Sequence, residues 1–126
     1  MDKVVHFEIP ADNMERAQKF YKENFGWDMN SYPEFKYVGI RTGPTDEKGM
    51  PQEPAFINGG MMTKNEHVKF PVITISVKDI DKALTAIEKS GGHVAMKKFP
   101  VGDMGFAAYF KDTEGNVLGL WQDLKK

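Results

Sequence analysis

The chain has 126 residues, no cysteine, and 17 basic against 18 acidic side chains for a net charge of −1. This length favours a single domain, and the charge balance excludes a general basic surface for nucleic acid or for anionic lipid. We find no apolar signal region at the N-terminus and no run of about 18 apolar residues that could span a membrane. We therefore expect a cytoplasmic protein without disulfides, whose partner is a small molecule or another protein.

The first half of the chain predicts a strand, a helix and three further strands. Residues 4–9 alternate between apolar and polar side chains, which is typical of a strand with one buried face. Asp12 stands three residues before Glu15 and suits a capping box, and the helix that follows ends at Gly26. The three later strands are predicted at residues 27–32, 36–42 and 55–62.

The segment 43–54 is rich in glycine, proline and charge and is longer than a tight hairpin. It is either a mobile surface loop or a lid over a site. Residues 63–70 read as a polar linker to the second half of the chain.

The second half repeats the same order of elements. A strand is predicted at 72–77, a helix begins after Asp79 and ends at Gly91–Gly92, and strands follow at 93–99, 106–111 and 117–122. The halves align at a constant offset of 66 positions, with His6 opposite Thr74 if the first strand–helix connection is two residues longer. The matched pairs are Asn13 and Asp79, Arg16 and Lys82, Ala17 and Ala83, Tyr21 and Ile87, and Gly26 and Gly92.

This pattern indicates an internal duplication. It predicts an α+β fold of two βαβββ modules in one domain over 1–126, the first at about residues 1–64 and the second at about 70–126. Each helix covers one face of its sheet, and the uncovered faces either surround a common cleft or stay wet. Polar residues occupy the same phase of both first strands, opposite the apolar residues Val5, Phe7, Ile9, Ile73, Ile75 and Val77.

Four segments carry a resemblance to a known family: "VVHFEIPADNMERAQKFYKENFGW", "INGGMM", "ITISVKDIDKALTAIEKSGG" and "AAYFKDTEGNVLGLWQ". They resemble the vicinal-oxygen-chelate superfamily, which includes glyoxalase I, extradiol ring-cleaving dioxygenases and the fosfomycin- and bleomycin-resistance proteins. The chain is most similar to the bacterial group related to lactoylglutathione lyase. The resemblance implies a half-open barrel with a central cleft, and a homodimer. It identifies a fold more than a reaction, because this fold carries many chemistries.

The resemblance also implies where a metal ion would be held. Its ligands come from the first and last strand of each module, which places them here at His6, Thr74, Gly119 and one position within Asn58–Gly60. Only His6 has a ligating side chain of the family type, and a catalytic ion needs about three protein ligands. We therefore expect no cofactor and no tightly held catalytic metal. The alternative is a divalent ion held by His6 and by further ligands outside the expected positions; Glu8, on the same face, could supply one carboxylate.

Other residues on the expected cleft side are candidates for ligand contacts. His6 is the best candidate for a general base, or else it is a histidine of the cavity wall. Tyr37 shares a face with Arg41, whose guanidinium either holds a carboxylate or phosphate or lies in solvent. Trp121 either stacks on a flat ligand beside Gly119 or packs in the core.

These residues lead to three hypotheses for the function. The first is a protein that binds a small planar or carbonyl-bearing molecule without a catalytic metal. The sequence leaves open whether this protein is an enzyme. If it is one, its chemistry would be of the lyase or isomerase type. The second is a metal-dependent lyase, isomerase or ring-cleaving dioxygenase. The third is an interaction module with a vestigial cleft. The predicted pocket comprises His6, Glu8, Tyr37, Arg41, Asn58, Gly60, Thr74, Gly119 and Trp121.

Overall fold

The computed structural model describes residues 1–124 and confirms the α+β prediction. The chain forms two compact units. One is His6–Pro71, called here the first module, and the other is Met1–Val5 together with the chain from Val72 on, called the second module. Neither helix in this part of the chain is long and apolar enough to cross a membrane.

The first module has the βαβββ order that the sequence predicted. Its sheet runs in the order β2-β3-β4-β1, with β1 and β4 parallel and the other neighbours antiparallel. A single 3₁₀ turn, Pro33–Phe35, joins β2 to β3. The elements are β1 (Val4–Ala11), α1 (Met14–Phe25), β2 (Asp28–Tyr32), β3 (Tyr37–Arg41) and β4 (Gly59–Thr63).

Helix α1 starts one residue later than the capping-box prediction placed it. The N-cap is Asn13, whose side-chain oxygen accepts a hydrogen bond of 2.9 Å from the backbone N–H of Arg16. Asp12 instead forms an ion pair of 3.1 Å with Lys64. The helix ends at Gly26 as predicted, in the left-handed conformation with φ 70°.

The core of the first module lies between α1 and one face of the sheet. Alternate strand residues point into it, among them Phe7, Val38 and Ile40, and α1 covers them with Met14, Ala17 and Tyr21. Val5 was predicted to lie under this helix, and that prediction is wrong. Its side chain is 40% exposed, because the first two residues of β1 belong to the second module.

The second module repeats the arrangement. Its sheet order is β5-β8-β7-β6, with β5 and β8 parallel and the other neighbours antiparallel. The backbone N–H of Ser76 in β5 donates to the carbonyl of Lys3 over 2.9 Å. The elements are β5 (Val72–Ser76), α2 (Ile80–Lys89), β6 (His93–Val101), β7 (Gly105–Lys111) and β8 (Val117–Asp123).

The second core is built on the same plan. Asp79 caps α2 as predicted, its carboxylate accepting from the backbone N–H of Lys82 over 3.1 Å. Ile75 and Val77 pack on the core, whereas Ile73, which shares their face by alternation, is 48% exposed and lies outside the cover of α2. The buried centre comprises Ile80, Leu84, Ala108, Phe110 and Leu120.

The strand pairing corrects the alignment of the two modules. In the parallel pair β1–β4 the partner of Gly60 is Glu8, and in the parallel pair β5–β8 the partner of Gly119 is Thr74. Glu8 and Thr74 also precede their helix caps by the same number of residues. Glu8 is therefore the counterpart of Thr74. The prediction that set His6 opposite Thr74 is wrong, because the two strand–helix connections have the same length.

The segment 43–54 folds back on itself as a small loop. A backbone bridge pairs Thr45 with Pro51, and the carboxylate of Asp46 accepts from the N–H groups of Lys48 and Met50 over 2.9 Å each. These bonds close a turn at the tip of the loop. The choice between a mobile surface loop and a lid stays a prediction.

Candidate functional site

The sheet of the first module has a face that α1 does not cover, called here the helix-free face. Phe7 and Ile9 of β1 and Val38 and Ile40 of β3 pack on the helix side. The alternate residues point the opposite way because successive side chains of a strand alternate between its faces. They include six of the predicted pocket residues: His6, Glu8, Tyr37, Arg41, Asn58 and Gly60.

The pairing register brings His6 and Arg41 to the same level of the sheet. Phe7 of β1 and Ile40 of β3 both pair with Gly59 of β4. One residue further along each strand, His6 and Arg41 both lie level with Asn58. Their backbones are two strand spacings apart, which is roughly 10 Å.

Tyr37 links β3 to β1 across this face. Its hydroxyl oxygen lies 2.9 Å from His6 Nε2, within a hydrogen bond whose donor depends on the imidazole tautomer. To reach His6 the phenol crosses Gly60 on the intervening strand, and a Cβ at Gly60 would collide with the ring and hydroxyl of Tyr37. The sequence did not predict this contact, although a glycine inside a strand signals a close approach.

Burial keeps the pair uncharged at neutral pH. Loss of solvent lowers the pKa of His6 from 6.5 to about 4, because the charged imidazolium is disfavoured. Loss of solvent also raises the pKa of Tyr37, and the nearby acidic groups of Glu8 and Tyr32 raise it further. His6 is thus a weaker base than free imidazole, and the pair offers hydrogen-bonding groups rather than charge.

Glu8 places an acidic group in the row next to His6. Its residue is 8% exposed, and it pairs with Gly60 in the strand register. Its effect on the pKa of Tyr37 shows that its carboxylate acts on the phenol. The face therefore carries a buried acid on β1 beside the uncharged pair.

Arg41 is the cation of this face. It is half-buried, and no residue in the described range 1–124 gives its guanidinium a hydrogen bond or ion pair. The residue directly opposite on β2 is Asp28, which is exposed and forms no ion pair with it. The predicted sharing of one face by Tyr37 and Arg41 is confirmed, because Val38 and Ile40 between and beside them are core residues.

Asn58 already uses its carboxamide for the backbone. Its Oδ1 accepts from the N–H of Thr42 over 3.0 Å, and its Nδ2 donates to Thr45 Oγ1 over 3.1 Å. The side chain thus holds the start of the 43–54 loop to β4. A direct contact of Asn58 with a ligand stays a prediction.

The predicted residues of the second module lie together on its own helix-free face. Thr74 is buried and pairs with Gly119, and a Cβ at Gly119 would lie 2.7 Å from Thr74 Oγ1. Trp121 donates from Nε1 to Asp123 Oδ1 over 2.7 Å, and its ring lies against Gly105 rather than Gly119. A cleft that joins this group to the first module stays a prediction.

The donor set at the expected metal positions does not fit a catalytic ion. His6 Nε2 already meets Tyr37, the space above Gly60 is filled by the phenol, and Thr74 and Gly119 supply no imidazole or carboxylate. Within residues 1–124 no group of three or more His, Cys, Asp or Glu side chains is placed to hold a metal. Among the described residues of this face, His6 and Glu8 are the suitable donors, and two ligands are too few for a Lewis-acid site.

Sequence comparison relates the chain to glyoxalase-like proteins. The family model described as bleomycin resistance protein-like N-terminal matches residues 3–43. A glyoxylase-like domain-containing protein of Didymella fabae is 32% identical over 121 residues, which cover 90% of this chain and 88% of that protein. The protein CFP32 of Mycobacterium bovis, which carries a provisional glyoxylase name, is 27% identical over 120 residues. That match covers 91% of this chain but 43% of CFP32, so the chain spans under half of that relative.

Structural comparison shows a shared fold. A glyoxalase/bleomycin resistance protein/dioxygenase superfamily member from Vibrio splendidus 12B01 matches with a TM-score of 0.61 and 13% identity. The match covers 98% of this chain and 99% of that one. At this identity the likeness concerns the fold and not the reaction.

Proposed function

Because the chain belongs to the glyoxalase/bleomycin resistance/dioxygenase superfamily, we propose that it binds a small organic molecule on the helix-free face of its first module. The binding needs no tightly held metal ion. The observation that carries the proposal is the hydrogen bond of 2.9 Å between His6 and Tyr37, formed over Gly60.

Three features of this face support a ligand site. The His6–Tyr37 pair offers uncharged hydrogen-bonding atoms, which suit a carbonyl or hydroxyl group of a ligand. Gly39 and Gly60 pair on adjacent strands, so the rings of neighbouring tyrosines can lie directly over the sheet. Tyr32 and Tyr37 lie against these glycines and supply aromatic surface for a planar molecule.

A ligand screen with matched variants tests the proposal. Wild-type protein is screened by thermal shift against aldehydes, thiol conjugates and planar aromatic compounds, and a ligand at 100 times its dissociation constant adds about 2.7 kcal/mol to the free energy of unfolding. The Tyr37→Phe variant should weaken the hits, because it removes the hydroxyl and keeps the ring. Tyr21→Phe, on α1, is the matched control and should bind as wild type. The proposal is wrong if no compound binds, or if the compounds bind Tyr37→Phe as tightly as they bind the wild type. Either result would favour the interaction-module hypothesis.

A metal-dependent lyase, isomerase or dioxygenase is the second candidate, and it rests on His6 and Glu8. It is tested by elemental analysis after incubation with Ni²⁺, Zn²⁺, Mn²⁺ or Fe²⁺ and desalting. We expect substoichiometric metal in the wild type and no change in His6→Ala. Stoichiometric metal that disappears in His6→Ala would establish the metalloenzyme instead.

A cytoplasmic homodimer completes the proposal, and superfamily membership supports it. Sedimentation equilibrium of the purified chain measures the assembly state. A monomer at micromolar concentration would remove this part of the proposal and leave the ligand site intact.

A further inference from the structure

We infer that Arg41 holds a carboxylate group of the ligand, so that the ligand class is a small organic acid. This inference rests on the proposed function and names the chemistry of the molecule that the helix-free face accepts. It is carried by the position of Arg41, by its lack of partners and by the groups around it.

The position of Arg41 is fixed by the sheet and not by a flexible loop. It is the last residue of β3, and the core residue Ile40 next to it directs its side chain to the helix-free face. The strand register places it level with His6, roughly 10 Å away across the sheet. A small ligand can therefore reach both residues.

The guanidinium is left without the partner that a half-buried cation ordinarily has. Asp28 lies opposite Arg41 on the neighbouring strand, yet no ion pair joins them. Within residues 1–124 no other group forms a hydrogen bond or ion pair with the Arg41 side chain. Half-burial removes part of the hydration of the guanidinium, and a bound anion would replace it with charge-assisted hydrogen bonds. The planar fork of arginine matches the two oxygens of a carboxylate.

The surrounding charges favour one negative charge and set its orientation. The guanidinium lies at the β3 side of the face, so the acid group of the ligand is held there. A single guanidinium balances a monoanion, whereas a phosphate dianion would need a second cation. The far end of the ligand then meets the uncharged His6–Tyr37 pair, which suits a carbonyl oxygen.

A pair of matched probes tests the charge requirement. Benzoylformate is a planar acid with a carbonyl group, and benzoylformamide has nearly the same shape without the charge. Both are titrated at low ionic strength into ¹⁵N-labelled full-length protein, and dissociation constants are taken from the amide shifts of Gly39, Gly60 and their neighbours. We expect the acid to bind at least about tenfold tighter than the amide, as charge-assisted hydrogen bonds to arginine imply.

The chain offers a matched control, because Arg16 on α1 is its other arginine. Arg41→Gln should abolish the preference for the acid, Arg41→Lys should keep part of it, and Arg16→Gln should leave it unchanged. The inference is overturned if the wild type does not distinguish the probes, if Arg41→Gln keeps the preference, or if the acid does not bind. In those cases the proposed function still stands when other compounds bind in a Tyr37-dependent way, so the two failures are distinguishable.

Discussion

The hydroxyl of Tyr37 and Nε2 of His6 meet at 2.9 Å although their strands are not neighbours in the sheet. Strand β4 lies between them and offers Gly60 at the crossing point. The contact is therefore a property of three residues on three strands. It turns what would be an open sheet surface into a face with a defined polar group.

Gly60→Ala should destabilise the protein by roughly 1–3 kcal/mol, the usual cost of forcing extra volume into a packed site. The added Cβ collides with the phenol of Tyr37, which must leave His6. Urea unfolding measures the free energy, and the His6 ring protons report the lost contact by NMR. Gly39→Ala is the control, because its Cβ would meet the ring of Tyr32 at 3.2 Å and that ring is more exposed. Equal costs at both glycines would contradict the packing argument.

Stability should depend on pH through His6. Its pKa is 6.5 in the unfolded chain and about 4 in the folded protein, so the unfolded state binds the proton more tightly. The contribution of His6 to the free energy of unfolding is fully present above pH 6.5. It is lost as the pH falls toward 4, and the loss is up to about 3 kcal/mol. Urea unfolding between pH 4 and 7 should show this slope, and His6→Gln should flatten it. His93→Gln, at the exposed start of β6, is the control, and a slope that persists unchanged in His6→Gln would refute the assignment.

Gly26→Ala should cost about 1 kcal/mol without any steric clash. Gly26 has φ 70°, a left-handed conformation that favours glycine, and a Cβ there would have no atom within 4 Å. Thermal unfolding should therefore show a smaller loss for Gly26→Asn, since asparagine tolerates this conformation better than alanine. A loss that grows from alanine to asparagine would point to packing instead.

Asp112→Ala should lower the melting temperature at neutral pH. The carboxylate accepts hydrogen bonds from the backbone N–H groups of Glu114 and Asn116 and from the Asn116 side chain, and these bonds lower the pKa of Asp112. The stabilisation is present above the unfolded pKa of 3.8 and is lost as the pH falls through the lower folded value. The difference from wild type should shrink in acid. A difference from wild type that stays constant in acid would contradict this assignment.

The elements could be predicted because their signals are local. Alternation in residues 4–9, helical spacing after Asp79 and glycines at the helix ends all arise from neighbours along the chain. The order strand, helix and three strands then repeated clearly enough to identify two modules. Resemblance to a known superfamily agreed with this reading, and the comparisons support it.

The site was harder to predict because its geometry depends on distant strands. Alternation placed Val5 and Ile73 on a helix side, but alternation does not reveal where a strand leaves the cover of its helix. The match of Glu8 to Thr74 emerged from cross-strand pairing with two glycines. His6 and Tyr37 are 31 residues apart, and no local pattern joins them.

The crowding of Tyr37 over Gly60 also bears on how such a chain can evolve. An acidic side chain at position 60 could contribute a metal ligand, but the phenol occupies the volume it would enter. A mutation at either position alone yields a clash or a hole. A side chain larger than glycine at position 60 should therefore be accompanied by a smaller residue at 37, and relatives with glycine at 60 should tend to carry a large aromatic residue at 37.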